Sequence, residues 1–109
     1  MRLKLYRVTG DSMLPDLTAG SFVVTLRHRA QTLRVNDVVV VEHAIHGRII
    51  KRVIGIGQDG ALSLAGDNAA SSTSTEALGA IRREQVLGRV IWRIPGITGS
   101  TPRTPSSLP

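Results

Sequence analysis

Two residues in this chain have settings suited to covalent chemistry. One is a serine in a tight turn, Gly10-Asp11-Ser12-Met13-Leu14-Pro15. The other is a lysine inside an apolar run, Arg48-Ile49-Ile50-Lys51-Arg52-Val53-Ile54. A hydroxyl is a weak nucleophile until a neighbouring base removes its proton, and a lysine acts as that base only where burial penalises its ammonium form. Glycine and proline force the bend that presents Ser12, while Ile and Val beside Lys51 take its amine out of water. The chemistry expected of the pair is that of a serine–lysine hydrolase, with Ser12 as nucleophile and Lys51 as general base. In an extended strand Ile49, Lys51 and Val53 share one face and Ile50, Arg52 and Ile54 the other, so the amine projects between aliphatic neighbours.

The elements that must position this pair read as strands. Leu3 to Val8 alternates apolar and polar residues, and Phe22 to Leu26 and Val38 to Val41 are β-branched runs bounded by Gly20 and by Asn36-Asp37. A strand from His46-Gly47 through Ile56 leads into Gln58-Asp59-Gly60, a hairpin signal, and then into the alternating Ala61 to Ala65. Val86 to Ile94 gives a last strand, and Arg82 to Gln85 is expected to form one helical turn. The Ser/Thr-rich stretch from Gly66 to Glu76 reads as a loop whose hydroxyls compete for backbone bonds. From Pro95 onward Gly, Ser, Thr and Pro dominate. The expectation is a mostly β fold of coiled antiparallel sheets, a single domain over residues 1–94, followed by a flexible tail over 95–109.

Composition narrows the function classes. With 109 residues there is room for one modest core and none for a separate cofactor domain, and no cofactor is expected. One Trp, one Tyr and one Phe leave the core to Val, Ile and Leu. The net charge of +6 is spread over scattered arginines with almost no aromatics to stack on bases, so a solvated basic surface is the better reading than a nucleic-acid site. There is no cysteine, no apolar signal core and no stretch near the roughly 20 residues a membrane-spanning helix needs, which fits a cytoplasmic protein. An anchor lost by truncation would make it membrane-associated instead. His43 and His46 flank a hairpin turn and His28 lies among arginines. All three read as surface residues, and no metal site is expected.

The ordered set Gly-Asp-Ser-Met-Leu-Pro, Lys51-Arg52-Val53-Ile54-Gly55 and Gly66-Asp67-Asn68 resembles the type I signal peptidase family of serine–lysine proteases, over nearly all of residues 7 to 93. The resemblance implies a small signal-peptidase-like (repressor-autocleavage-like) fold. It implies Ser12 as nucleophile, with its N–H at the oxyanion, and Lys51 as base. It makes Met13 a wall of the substrate pocket and Gly10, Pro15, Gly66, Asp67 and Asn68 a structural motif that holds the site together. Counting on from Asn68, Ser72 falls where the family has a serine that orients the lysine. Leu87 to Trp92 resembles the family's closing strand. Two departures stand out: Gly10 occupies a position where secretory members often carry a second oxyanion donor, and Ser74 and Glu76 replace an Asp and Arg expected to pair.

The compact chain is similar to a soluble branch of that family that trims the N-terminal extension of nickel-type superoxide dismutase. That implies an extended peptide substrate, with small side chains at the cut. Self-cleaving repressor and mutagenesis-protein domains share the Ser–Lys pair and a similar Gly-x-Ser-Met stretch. Gly-Asp-Asn with Ser72 argues against them, as do the mere six residues before Arg7. The competing class is a non-catalytic module that keeps the fold and uses its basic surface to hold an acidic peptide, a membrane or nucleic acid.

Overall fold

The computed structural model describes residues 2–27, 32–71, 73–96 and 107–108. Six antiparallel strands form one open sheet: β1 (Arg2–Val8), β2 (Phe22–Arg27), β3 (Val38–His43), β4 (Gly47–Ile56), β5 (Leu62–Ala65) and β6 (Val86–Ile94), in the order β5-β4-β3-β6-β2-β1. Ser107–Leu108 forms β7, which pairs parallel with Arg7 and Val8 of β1, so these two residues of the expected tail are held at the sheet edge. The other tail positions, apart from Pro95 and Gly96, lie outside the described residues. No helix among the described residues is long and apolar enough to cross a membrane.

The four consecutive valines of β3 explain the layering. A strand buried on one face alternates apolar with polar residues, whereas a continuous β-branched run suits a strand covered on both. Val38 and Val40 enter one core with Tyr6, Val8, Met13, Val23 and Ile50. Val39 and Val41 enter a second core with Ile49, Val53, Leu64, Leu78 and Ile81. Strand β4 divides in the same way, which puts Lys51 on the second-core face with Ile49 and Val53, as the alternation predicts. A register shift between Val53 and Gly55 interrupts the other face, leaving Ile54 48% exposed rather than buried with Ile50.

Turn chemistry joins these strands. The β3–β4 connection closes at Gly47 (φ 71°). The β4–β5 hairpin closes at Gly60 (φ 83°), where the Asp59 carboxylate accepts from Ala61 N–H at 3.1 Å. The expected turn at Arg82 to Gln85 is a 3₁₀ turn over Arg83–Gln85. The Gly66–Glu76 stretch is not wholly a loop: a helix α1 spans Thr75–Leu78, and the Ser74 hydroxyl caps it by accepting from Ala77 N–H at 3.2 Å.

On β1, β2 and residues 91–94 of β6 the outward face is left uncovered. Across the outward face Leu5 pairs with Val24 and Val24 with Trp92. Leu5 is 52% and Trp92 65% exposed. Where β6 crosses β2, Gly88 is required by space: a Cβ there would lie 2.9 Å from both Cβ and Oγ1 of Thr25. Thr25 is itself buried at the register shift between β2 and β6, so it has little room to yield. Gly88→Ala is expected to destabilise the fold by about 1–3 kcal/mol, read by denaturant unfolding. An unchanged midpoint would show that the strands separate freely here.

Candidate active site

Ser12 and Lys51 meet at one cavity of about 340 Å³, lined by Gly10, Asp11, Ser12, His46, Ile49, Lys51, Thr73 and Leu78. The serine comes from the turn after β1. Gly10 opens that turn at φ 74°, and no atom would meet a β-carbon there within 4 Å, so backbone conformation rather than crowding calls for glycine. This accounts for the missing serine two places before Ser12, since a side chain in this left-handed region costs about 1–2 kcal/mol. Among the described residues no backbone carbonyl accepts from the Ser12 N–H.

Lys51 comes from the centre of β4, paired with Val39 of β3, and is only 4% exposed. Burial in this apolar layer pushes its amine below the usual lysine value. General-base activation of a serine needs an amine biased toward its neutral form, and the direction of this shift is the one required.

The Gly66-Asp67-Asn68 segment contacts both halves of the site. Asn68 N–H donates to the Ser12 carbonyl at 2.8 Å, fixing the serine turn from behind. The Asp67 carboxylate accepts two bonds of 2.8 Å from Arg52 Nε and Nη2, next to Lys51 in the chain. The same guanidinium donates to Asp16 at 2.6 Å and to the Asn36 carbonyl at 2.8 Å, and Arg93 closes on Asp16 with two bonds of 3.0 Å. Two carboxylates and two guanidiniums therefore lock the turn after Pro15, strand β4 and strand β6 together with balanced charge. Hydrogen bonds donated to Asp67, opposed by burial and aided by Asp16, hold Arg52 more firmly in its charged form.

Asp16 gives this lock a pH dependence. Burial alone would raise its carboxyl, but the hydrogen bonds and charges of Arg93 and Arg52 outweigh it and hold the group below the usual aspartate range. A depressed carboxyl stabilises the fold above its unfolded value, and the contribution disappears as pH falls through the folded one. Asp16→Asn is therefore expected to reduce stability at neutral pH and to flatten the loss on acidification below about pH 4. Unfolding curves at a series of acidic pH values measure this, and parallel losses in variant and parent would contradict it.

The other expected residues fall as follows. Met13 does not line the cavity. It is 1% exposed and belongs to the first core, whereas Ser12 beside it lines the cavity. Pro15 is exposed at the end of the turn, after a cis Leu14–Pro15 bond. Ser72 lies outside the described residues, as does His28, although Thr73 beside Ser72 lines the cavity. His43 is a correction: it is 7% exposed, not a surface turn residue. Among the described residues no three of His, Asp and Glu gather as metal ligands.

Sequence reasoning missed Asp16, Arg93, Thr73 and Leu78. The Asp16–Arg93 contact spans 77 positions and depends on the sheet bringing β6 past the serine turn. Leu78 belongs to a helix of four residues, too short to show periodicity.

This arrangement, a mostly β domain with a serine and a buried lysine at one cavity, has the form of a serine-peptidase domain. The chain belongs to the Peptidase S24-like family, whose model matches residues 2–91. No curated protein matches it. The matched stretch includes Ser12, Lys51 and the Gly66-Asp67-Asn68 segment, and family membership supports a serine peptidase or a self-cleaving repressor-type domain.

Proposed function

We propose that this chain is a serine endopeptidase in which Ser12 and Lys51 form the catalytic pair, acting in trans on an extended peptide to remove an N-terminal signal or pro-sequence. The observation that carries this reading is that Ser12 and a Lys51 amine pushed toward neutrality by burial line the same cavity. Neutral Lys51 takes the Ser12 proton as Oγ attacks the scissile carbonyl, and the Ser12 N–H donates to the oxyanion. The ammonium returns its proton to the leaving amine as the C–N bond breaks. Water, deprotonated by the same amine, then attacks the acyl-serine and releases the acid. Asn68 and Arg52 keep the two reacting residues in register, and Ser72 is assigned the role of orienting the amine. The resemblance to the maturation proteases makes a nickel superoxide dismutase carrying an N-terminal extension the substrate to try first.

The test is cleavage of a peptide with alanine at the cut by the purified chain, with Ser12→Ala as control. Turnover that survives in the control removes Ser12 from the mechanism. Absence of turnover together with salt-sensitive binding of acidic peptides supports a non-catalytic module instead.

The family match favours a second reading, self-cleavage in cis. It predicts truncation of the chain itself at a rate independent of protein concentration, and no processing of added peptide.

A further inference from the structure

His43 is a buried imidazole for which the proposed reaction has no role, and all its bonds lead to the site. At the end of β3 its Nδ1 accepts from the N–H groups of Ile45 and His46, both at 3.1 Å, in the tip of the β3–β4 hairpin. Two converging donors require a bare lone pair on Nδ1, which places the ring proton on Nε2. That N–H donates to the carbonyl of Leu78, the last residue of α1, at 2.8 Å. The hairpin tip and the helix end are both cavity walls: His46 and Leu78 line the space that holds Ser12 and Lys51.

We propose that His43 is a positioning residue whose neutral imidazole clasps the hairpin tip to the end of α1, and so holds the walls that limit the access of water to the Lys51 amine. This deepens the reading of Lys51 as the base and rests on it for its catalytic meaning. The geometry explains the choice of residue. One flat ring presents an acceptor on one side and a donor on the other, so it satisfies three backbone groups while filling an otherwise dry layer. His43 is also paired with Gly47 in the β3–β4 register, and the same strand carries Ile49 and Lys51 onward into the cavity. Leu78 packs in the second core with Ile49, so a displaced helix end would uncover the face of β4 from which Lys51 projects.

The clasp has only one working protonation state. A proton on Nδ1 would face two N–H donors and displace both, freeing the hairpin tip while the Leu78 bond persists. The charged and titratable groups on the surrounding elements are His46, whose ring centre is 4.8 Å away, the Glu42–Arg48 pair at 4.0 Å across β3 and β4, Glu76 on α1, and Arg83 and Glu84 in the 3₁₀ turn.

The test follows the titration of Lys51 itself, by NMR of its side-chain carbon in the full chain carrying Ser12→Ala, with and without His43→Phe. Phenylalanine keeps the ring's bulk and removes all three bonds. The expected result is a rise of at least about tenfold in the proton affinity of the amine, as water reaches it. In the catalytically intact protein the rising limb of kcat/KM should move to higher pH by the same amount. A merely structural role would lower the rate at every pH and leave the Lys51 midpoint in place, and that result overturns the proposal. Because the variant could fail to fold, the parent protein gives a second measurement. The Ile45 and His46 amides, which donate to Nδ1, should be protected from hydrogen exchange, and amides that exchange as fast as those of an open turn equally overturn it. If cleavage is absent in the parent, the Ser12–Lys51 reading fails while the Lys51 titration still decides the role of His43.

Discussion

Lys51→Arg is expected to fold and to cleave nothing, although it keeps the positive charge. A guanidinium stays protonated at any working pH and cannot take the Ser12 proton. Ser12→Ala removes the nucleophile and should fall equally far. Residues that act as one unit each cost nearly the whole rate when removed, on the order of 10⁴–10⁶ in kcat. For the same reason the double variant should be no worse than either single one. Peptide hydrolysis by the three purified proteins, at matched concentration and with folding checked by circular dichroism, measures this. A Lys51→Arg protein that processes peptide at near the parent rate would mean that another group is the base.

Lys51→Met is expected to do the opposite to stability. In the folded chain burial depresses the amine below its ordinary value of about 10.4. Below the depressed value both folded and unfolded chains carry the proton, and the folded one bears the full cost of a buried ammonium. Between the two values the unfolded chain binds more protons, so the stability of the parent rises with pH across that window. Methionine has no charge to desolvate. The variant should therefore be the more stable protein at neutral pH, by on the order of 1–3 kcal/mol, with the gap narrowing as pH approaches 10. Denaturant midpoints across a pH series test this, and a gap that stays constant with pH would show that the amine is not desolvated. The same titration sets the activity: kcat/KM should rise with pH through the depressed value of Lys51.

Strands with a strong local signature were the most legible in the sequence. Val38 to Val41, the alternation around Lys51 and the Gln58-Asp59-Gly60 turn each state their structure in adjacent residues. The meeting of Ser12 with Lys51 was legible through the ordered motifs. What failed was whatever depends on long-range geometry. Met13 was expected as a pocket wall from the resemblance of its motif, but its side chain is in the first core. His43 looked solvated because it borders a turn, yet the turn folds back and donates to it. Nothing near Asp16 in the sequence identifies Arg52 and Arg93 as its partners, since sheet order alone brings them together.

The outward face of β1, β2 and β6 also governs how this protein reports on itself. Trp92, its only tryptophan, already stands 65% exposed on that face in the native state. Its emission should therefore begin near the wavelength of a solvated indole and shift little when the chain unfolds, giving an almost flat melting curve for a fully cooperative transition. The native chromophore that senses the interior is Tyr6, 2% exposed in the first core, with the Lys4 ammonium 5.1 Å and the Arg48 guanidinium 5.6 Å from its ring. Near-ultraviolet absorbance of that single phenol is the optical signal that follows the loss of the fold.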